Sequence, residues 1–246
     1  LNQRWSSVYT WPQSTLLQLA FVNATLSHNF SDTWSFQGNA YFRGFRQSHV
    51  DGNGTNVQPC DDPTTLCIGD GLPIFGPADG PPTPNTLGNA FLGEVDRNQT
   101  ATNSYGGTAQ LTNSDQLFGH DNHVVMGVSV DHGNTKFTAT SELGTVAPNN
   151  LFVTGTGVFI NQPDAGLSPV DLRATNTYTG VYLTDTFDVT NRFSVTAGGR
   201  FNYAQIDLKD QTGTNDLLNS SNRFQRFNPV IGGTFKITPN LTAYAG

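Results

Sequence analysis

Two cysteines, five histidines and a scatter of acids are the residues of this chain with chemistry to offer. Cys60 and Cys67 bracket Asp-Asp-Pro-Thr-Thr-Leu. This spacing suits a disulfide closing a short polar loop in an oxidising compartment. A thiolate metal site would need two further ligands, but Asp61 and Asp62 are adjacent and no Cys/His spacing supports zinc. Two free thiols fit so polar a segment less well. His28, His49, His120, His123 and His132 contain no pair at metal-ligand spacing on a helix. Ser, His and Asp occur without a Gly-x-Ser-x-Gly nucleophile motif. Gly52, Gly54, Gly69 and Gly71 lie in a loop with no following helix or lysine, unlike a phosphate cradle. Asn-x-Ser/Thr triplets at Asn23, Asn29, Asn53, Asn98, Asn219 and Asn240 are read as chance in an Asn/Thr-rich chain. The expectation is a protein that is not an enzyme, with no cofactor and no metal.

What remains are charges whose meaning depends on the strand face that carries them. From Phe193, one face of a period-two pattern holds Phe193, Val195, Ala197, Gly199, Phe201 and Tyr203, and the other Ser194, Thr196, Gly198, Arg200 and Asn202. Trp34 to Arg43, Val22 to Phe30, Val124 to Val130 and Phe227 to Ile237 repeat it. Arg43, Arg200 and Lys236 fall on polar faces. Asp185 falls on an apolar one with Val181, Leu183 and Phe187, so it belongs near a rim or the face assignment slips there.

Strands are expected at roughly 14–30, 34–46, 101–112, 123–140, 175–189, 193–207, 223–237 and from 241. Most exceed the ~9–11 residues a tilted strand needs to cross a bilayer. Short connections at 29–33, 113–122, 189–192 and 237–240 alternate with long ones near 47–99, 141–174 and 208–222. Short turns at one end and long loops at the other describe an antiparallel transmembrane β-barrel segment of about eight meandering strands. Arg43, Arg200 and Lys236 would then face the lumen. Phe30, Trp34, Phe187 and Phe193 would form an interfacial girdle near the short turns. The loop 47–99, with the cysteines and Ile74, Phe75, Phe91 and Leu92, is the favoured place for ligand contact. Two other readings explain the alternation. One is a small self-contained eight-strand outer-membrane barrel with a structural or adhesive role. The other is a soluble secreted β-sandwich binding module.

Composition agrees with a membrane β protein. Charged residues make up 13%, mean hydropathy is −0.35, and no apolar run approaches the ~20 residues of a membrane helix. With 12 basic against 19 acidic residues, net −7, there is no footprint for nucleic acid.

Several stretches resemble the barrel of TonB-dependent outer-membrane receptors. They are Ser104-Tyr-Gly-Gly-Thr-Ala-Gln-Leu111, Leu117-Phe-Gly119, Asn122-His-Val-Val-Met-Gly-Val128, Gly180-Val-Tyr-Leu-Thr-Asp-Thr-Phe187, Ala197-Gly-Gly-Arg-Phe-Asn202 and Arg226-Phe-Asn-Pro-Val-Ile-Gly232. Thr238 to Tyr244, Val8 to Pro12 and Gly38 to Arg43 look similar. The resemblance implies location in a Gram-negative outer membrane, with lipid around the wall. It also implies TonB-energised uptake of a scarce small-molecule or metal-chelate ligand, such as an iron–siderophore or a cobalamin-like chelate. The TonB complex would act through a plug domain not contained in these residues. Residues 1–246 are accordingly expected to be part of a larger barrel domain, without plug or terminal strands.

Overall fold

A computed structural model describes residues 10–69, 71–76, 80–88, 90–149, 151–162 and 169–246. Its strands are β1 (Gln13–Asn29), β2 (Trp34–Gly54), β3 (Val57–Pro59), β4 (Leu66–Ile68), β5 (Leu72–Pro73), β6 (Leu92–Asn113), β7 (Asn122–Val146), β8 (Val153–Phe159), β9 (Val170–Thr190), β10 (Phe193–Asp210), β11 (Ser220–Thr238) and β12 (Leu241–Ala245). One antiparallel sheet runs β1-β2-β6-β7-β9-β10-β11-β12, with β8 added to β7. Strands β3, β4 and β5 form a separate small sheet. Among the described residues no helix is long and apolar enough to cross a membrane.

The sheet is a wall rather than a folded-up core. The chain exposes 16186 Å², against about 10,700 Å² for a compact monomer of 26.5 kDa. Its register aligns the alternation of successive strands. Ala109, Val128, Val181, Phe201 and Phe227 are consecutive partners in one ladder row, and Leu111, Met126 and Leu183 lie in the row beside it. These rows build an apolar band on one face. Polar residues fill the other, which is the more enclosed. On β6, Asn98, Thr100, Thr102 and Ser104 are half-buried, whereas Gln99, Ala101, Asn103 and Tyr105 are exposed. The apolar face therefore suits the lipid side of a barrel wall and the polar face its lumenal side. Asp185 stays on the outer face, in one row with Val124, Asn113 and Trp34, at the short-turn end of the wall. The rim placement holds, and the face assignment does not slip.

At that end the turns are tied by side chains. The Trp34 indole N–H donates to Asp115 Oδ2 at 3.1 Å, and Asn113 Nδ2 donates to the same oxygen at 2.6 Å. Hydrogen bonds from Thr33 and Asn113 hold the Asp115 carboxyl below its ordinary pKa, opposed by burial and aided by Trp34. A lowered folded pKa contributes stability above the unfolded value, and that stability is lost as pH falls through the folded one. Acidification below the ordinary aspartate range, about 4, is thus expected to free Trp34 and shift its fluorescence to the red. Asp115→Ala should show the shifted spectrum already at neutral pH.

At the opposite end the strands run further than the alternation indicates. β2 continues to Gly54, β6 begins at Leu92, β7 reaches Val146 and β9 begins at Val170. The long connections shrink to 55–91, 147–169 and 211–219. The reason is physical: beyond a bilayer both faces meet water or loop, so the apolar/polar contrast ends while the backbone ladder continues. β8 and the small sheet likewise carry no alternation. The remaining loops are ordered by their own contacts. In the last, the Asp210 carboxylate accepts backbone N–H bonds from Thr212, Gly213, Thr214 and Asn215 at 2.8–3.2 Å.

Among the described residues, dry packing occurs only above the wall. Val57, Leu66, Ile68, Ile74, Leu143 and Ile160 form one buried cluster, joined by Leu87, Leu92 and Val158. Val95, Val146 and Val153 form a second, with Val50 against it. Residues from both long loops thus fold into one cap. Its first cluster is seated on Leu143, which shares the lumenal face of β7 with Ser129 and Asp131. Cys60 and Cys67 are joined by a disulfide within this cap. Ile74 is wholly buried there, and Phe91 is 72% exposed.

Candidate functional site

Three long side chains organise the lumenal face, each lying across a glycine of the neighbouring strand to reach the strand beyond. Tyr41 on β2 crosses Gly106 on β6, and its hydroxyl donates to Asp131 Oδ1 on β7 at 2.6 Å. Tyr182 on β9 crosses Gly127 on β7 and donates to Gln110 Oε1 on β6 at 2.8 Å. Arg200 on β10 crosses Gly180 on β9, and its Nη2 donates to Ser129 Oγ on β7 at 2.7 Å. A Cβ at any of these glycines would fall inside van der Waals contact with the crossing side chain. Arg200 also donates through Nε to Asn202 Oδ1 at 2.7 Å, and its guanidinium carbon lies 5.6 Å from the centre of the Tyr182 ring.

The charges singled out by the alternation are not gathered into one site. Arg200 belongs to the row of Tyr182, Gly127 and Gln110. Arg43 lies in a different row, opposite Ser104, with its guanidinium carbon 5.7 Å from the centre of the Phe45 ring. Lys236 stands at the short-turn end, where its backbone N–H donates to the Arg192 carbonyl at 2.8 Å. Tyr41, Asp131, Tyr182 and Ser129 carry as much of the lumenal network and were not singled out. The signal for them is a glycine on the polar face of three successive wall strands, beside a long side chain one strand away.

Beside the cap the lumenal face turns acidic. Asp51 is directly opposite Asp96, which is opposite Ser141, and Asn53 is opposite Glu94. The Asn53 amide donates to Asp51 Oδ2 at 3.1 Å and to Asp96 Oδ2 at 3.0 Å, so one neutral group bridges two carboxylates. Gln13 Nε2 donates to Asp51 Oδ1 at 2.7 Å, Ser141 donates to Asp96, and Thr55 donates to Glu94 at 2.9 Å. These donors satisfy the acids from within the wall. Among the described residues no group of three His, Cys, Asp or Glu is placed to hold a metal ion. The arrangement is a hydrogen-bonded polar face beside a folded cap.

A protein-family model described as TonB dependent receptor-like, beta-barrel, matches residues 2–246. No curated protein sequence matches the chain. Among solved structures, the ferric yersiniabactin uptake receptor FyuA from Yersinia pestis aligns at 12% identity over 93% of this chain. Its TM-score of 0.27 is too low for any argument to rest on it. The chain spans 37% of that receptor's length.

Proposed function

Since the chain belongs to the TonB-dependent receptor β-barrel family, a non-enzymatic family of the Gram-negative outer membrane, we propose that residues 1–246 are part of the barrel domain of an uptake receptor. The receptor takes in a scarce ligand such as an iron–siderophore or a cobalamin-like chelate. The TonB complex supplies the energy through a plug domain outside these residues, and the ligand makes first contact at the cap. The observation that supports this reading most is the cap itself. Loops of 37 and 23 residues (55–91 and 147–169) share a buried core seated on the lumenal side of the wall. Connections of that length are uncommon in compact domains, and loops held by a rigid scaffold are where binding concentrates. Arg43 and Arg200 then line the solute path, with Lys236 at its periplasmic end.

Deleting the complete receptor gene, with and without TonB, tests this directly. The expected result is loss of TonB-dependent uptake of one labelled ferric chelate or of cyanocobalamin. Unchanged uptake of every chelate in a panel, with TonB present, would overturn it. The cap is testable separately. Leu143→Ala removes a fully buried side chain, a change that costs about 2–5 kcal/mol in packed cores. The expected outcome is faster proteolysis within 55–91 and weaker ligand binding, with the wall intact. Replacing both Cys60 and Cys67 with serine should act in the same direction, read by the same cleavage assay.

A further inference from the structure

We propose that the lipid side of the wall, at its short-turn end, binds a phospholipid headgroup that carries a primary ammonium, with Asp185 and Asn122 as its acceptors. Asp185 is a carboxylate set among apolar side chains. Val124 and Ala197 are its partners on β7 and β10, and Leu183 and Phe187 are its neighbours on the same face of β9. Its Oδ1 is closed off from solvent and has no hydrogen-bond partner. The same holds for the Asn122 carbonyl oxygen, on a residue only 8% exposed. Asn122 is opposite Phe187, hence on the face of Asp185 and diagonal to it. Diagonal neighbours stand about 7–8 Å apart at the backbone. One ammonium group can bridge that gap with hydrogen bonds of about 2.8 Å.

Buried acceptors without a donor are rare in folded proteins, and a carboxylate without a counter-charge adds to their cost. The polar groups around the pair are engaged elsewhere. Asn113 and the Trp34 indole donate to Asp115, and Gln116 donates to Asp121. The His120 ring rests on Phe187, with ring centres 5.5 Å apart. Among the described residues the salt bridges join Arg97 to Glu142 and Lys136 to Asp171, toward the other end of the wall. The wall thus supplies two acceptors and leaves the donor and the positive charge to a ligand.

Chemistry and place together name that ligand. A single positive charge balances a single carboxylate, whereas a divalent metal ion takes six or more oxygens. Two unpaired acceptors call for N–H donors, which a primary ammonium has and a quaternary one lacks. Phe187, next on this face, offers an aromatic ring to the same cation. β7 begins at Asn122, and the adjoining row toward the long loops holds Leu111, Met126 and Leu183 of the apolar band. The pair therefore stands at the edge of the band, where headgroups lie and acyl chains can run along Leu183 and Met126. The inference rests on the membrane placement of the wall and on no transported ligand.

The test uses the complete receptor in phosphatidylcholine nanodiscs, titrated with phosphatidylethanolamine and read by native mass spectrometry. Parallel titrations use deuterated phosphatidylcholine, phosphatidylglycerol and soluble O-phosphoethanolamine. D185N keeps the shape of the side chain and removes its charge. It is expected to bind phosphatidylethanolamine about tenfold more weakly, the loss of a charge-assisted hydrogen bond, and N122A about fivefold more weakly. D32N, in the turn between β1 and β2, should bind it normally. Folding is checked by the mobility of unheated samples on SDS gels, and if one variant fails to fold the other decides. Unchanged binding by the variants, or an equal loss with D32N, would overturn the proposal. So would binding of either comparison lipid, or of O-phosphoethanolamine, as tight as that of phosphatidylethanolamine. Failure of the uptake experiment would leave this result standing, because the readout is lipid retention.

Discussion

Arginine in place of Val128 is expected to destabilise the barrel in a bilayer by about 2–4 kcal/mol, while arginine in place of Gln37 should cost under about 1 kcal/mol. The two positions are close in depth and differ in face. Val128 is half-exposed on the outer surface between Ala109 and Val181, in the middle of the apolar band. Gln37 points to the lumen opposite Gln110, where water and polar side chains solvate a guanidinium. Reversible urea unfolding of the complete receptor from phosphatidylcholine vesicles measures both. Equal costs would mean that the faces have been assigned the wrong way round or that neither meets lipid.

Valine in place of Gly127 should lower stability by a similar amount, for a reason on the other face. The Tyr182 ring lies where the new side chain would go, and the Ala109 carbonyl blocks retreat on the far side. Overpacking of this kind costs about 1–3 kcal/mol, and displacing Tyr182 forfeits its bond to Gln110, worth about 1 kcal/mol. Partnership with Tyr182 is the claim at stake, so a double-mutant cycle is the decisive measurement. In a Tyr182→Ala background most of the cost of Gly127→Val should disappear. If the two costs simply add, the tyrosine is not seated on the glycine.

How far the sequence could be read depended on whether lipid sits on one side of the strand. From Trp34 to Arg43 and from Phe193 to Tyr203 a membrane on one face and water on the other impose strict alternation, and there the strands are where the pattern puts them. Past Arg46 on β2 and before Ala101 on β6 both faces carry polar residues, and the pattern fades although pairing persists to Gly54 opposite Gly93. The cap was opaque for another reason. Leu66, Ile74, Leu143 and Ile160 meet from four separate stretches, and no local period announces a contact made over that separation. The lumenal network lies between these cases. The glycines at 106, 127 and 180 were visible on polar faces, but only the register shows which side chain crosses each.

Those three crossings have a mechanical consequence. Ladder hydrogen bonds run across the strands, and sliding two strands past each other must break the whole ladder at once. A side chain anchored two strands away runs obliquely and works as a brace. Tyr41 braces from one flank, Tyr182 and Arg200 from the other, and all three end on β6 or β7. Shear along the strands therefore meets its greatest stiffness on β6 and β7, between the short turns and the cap.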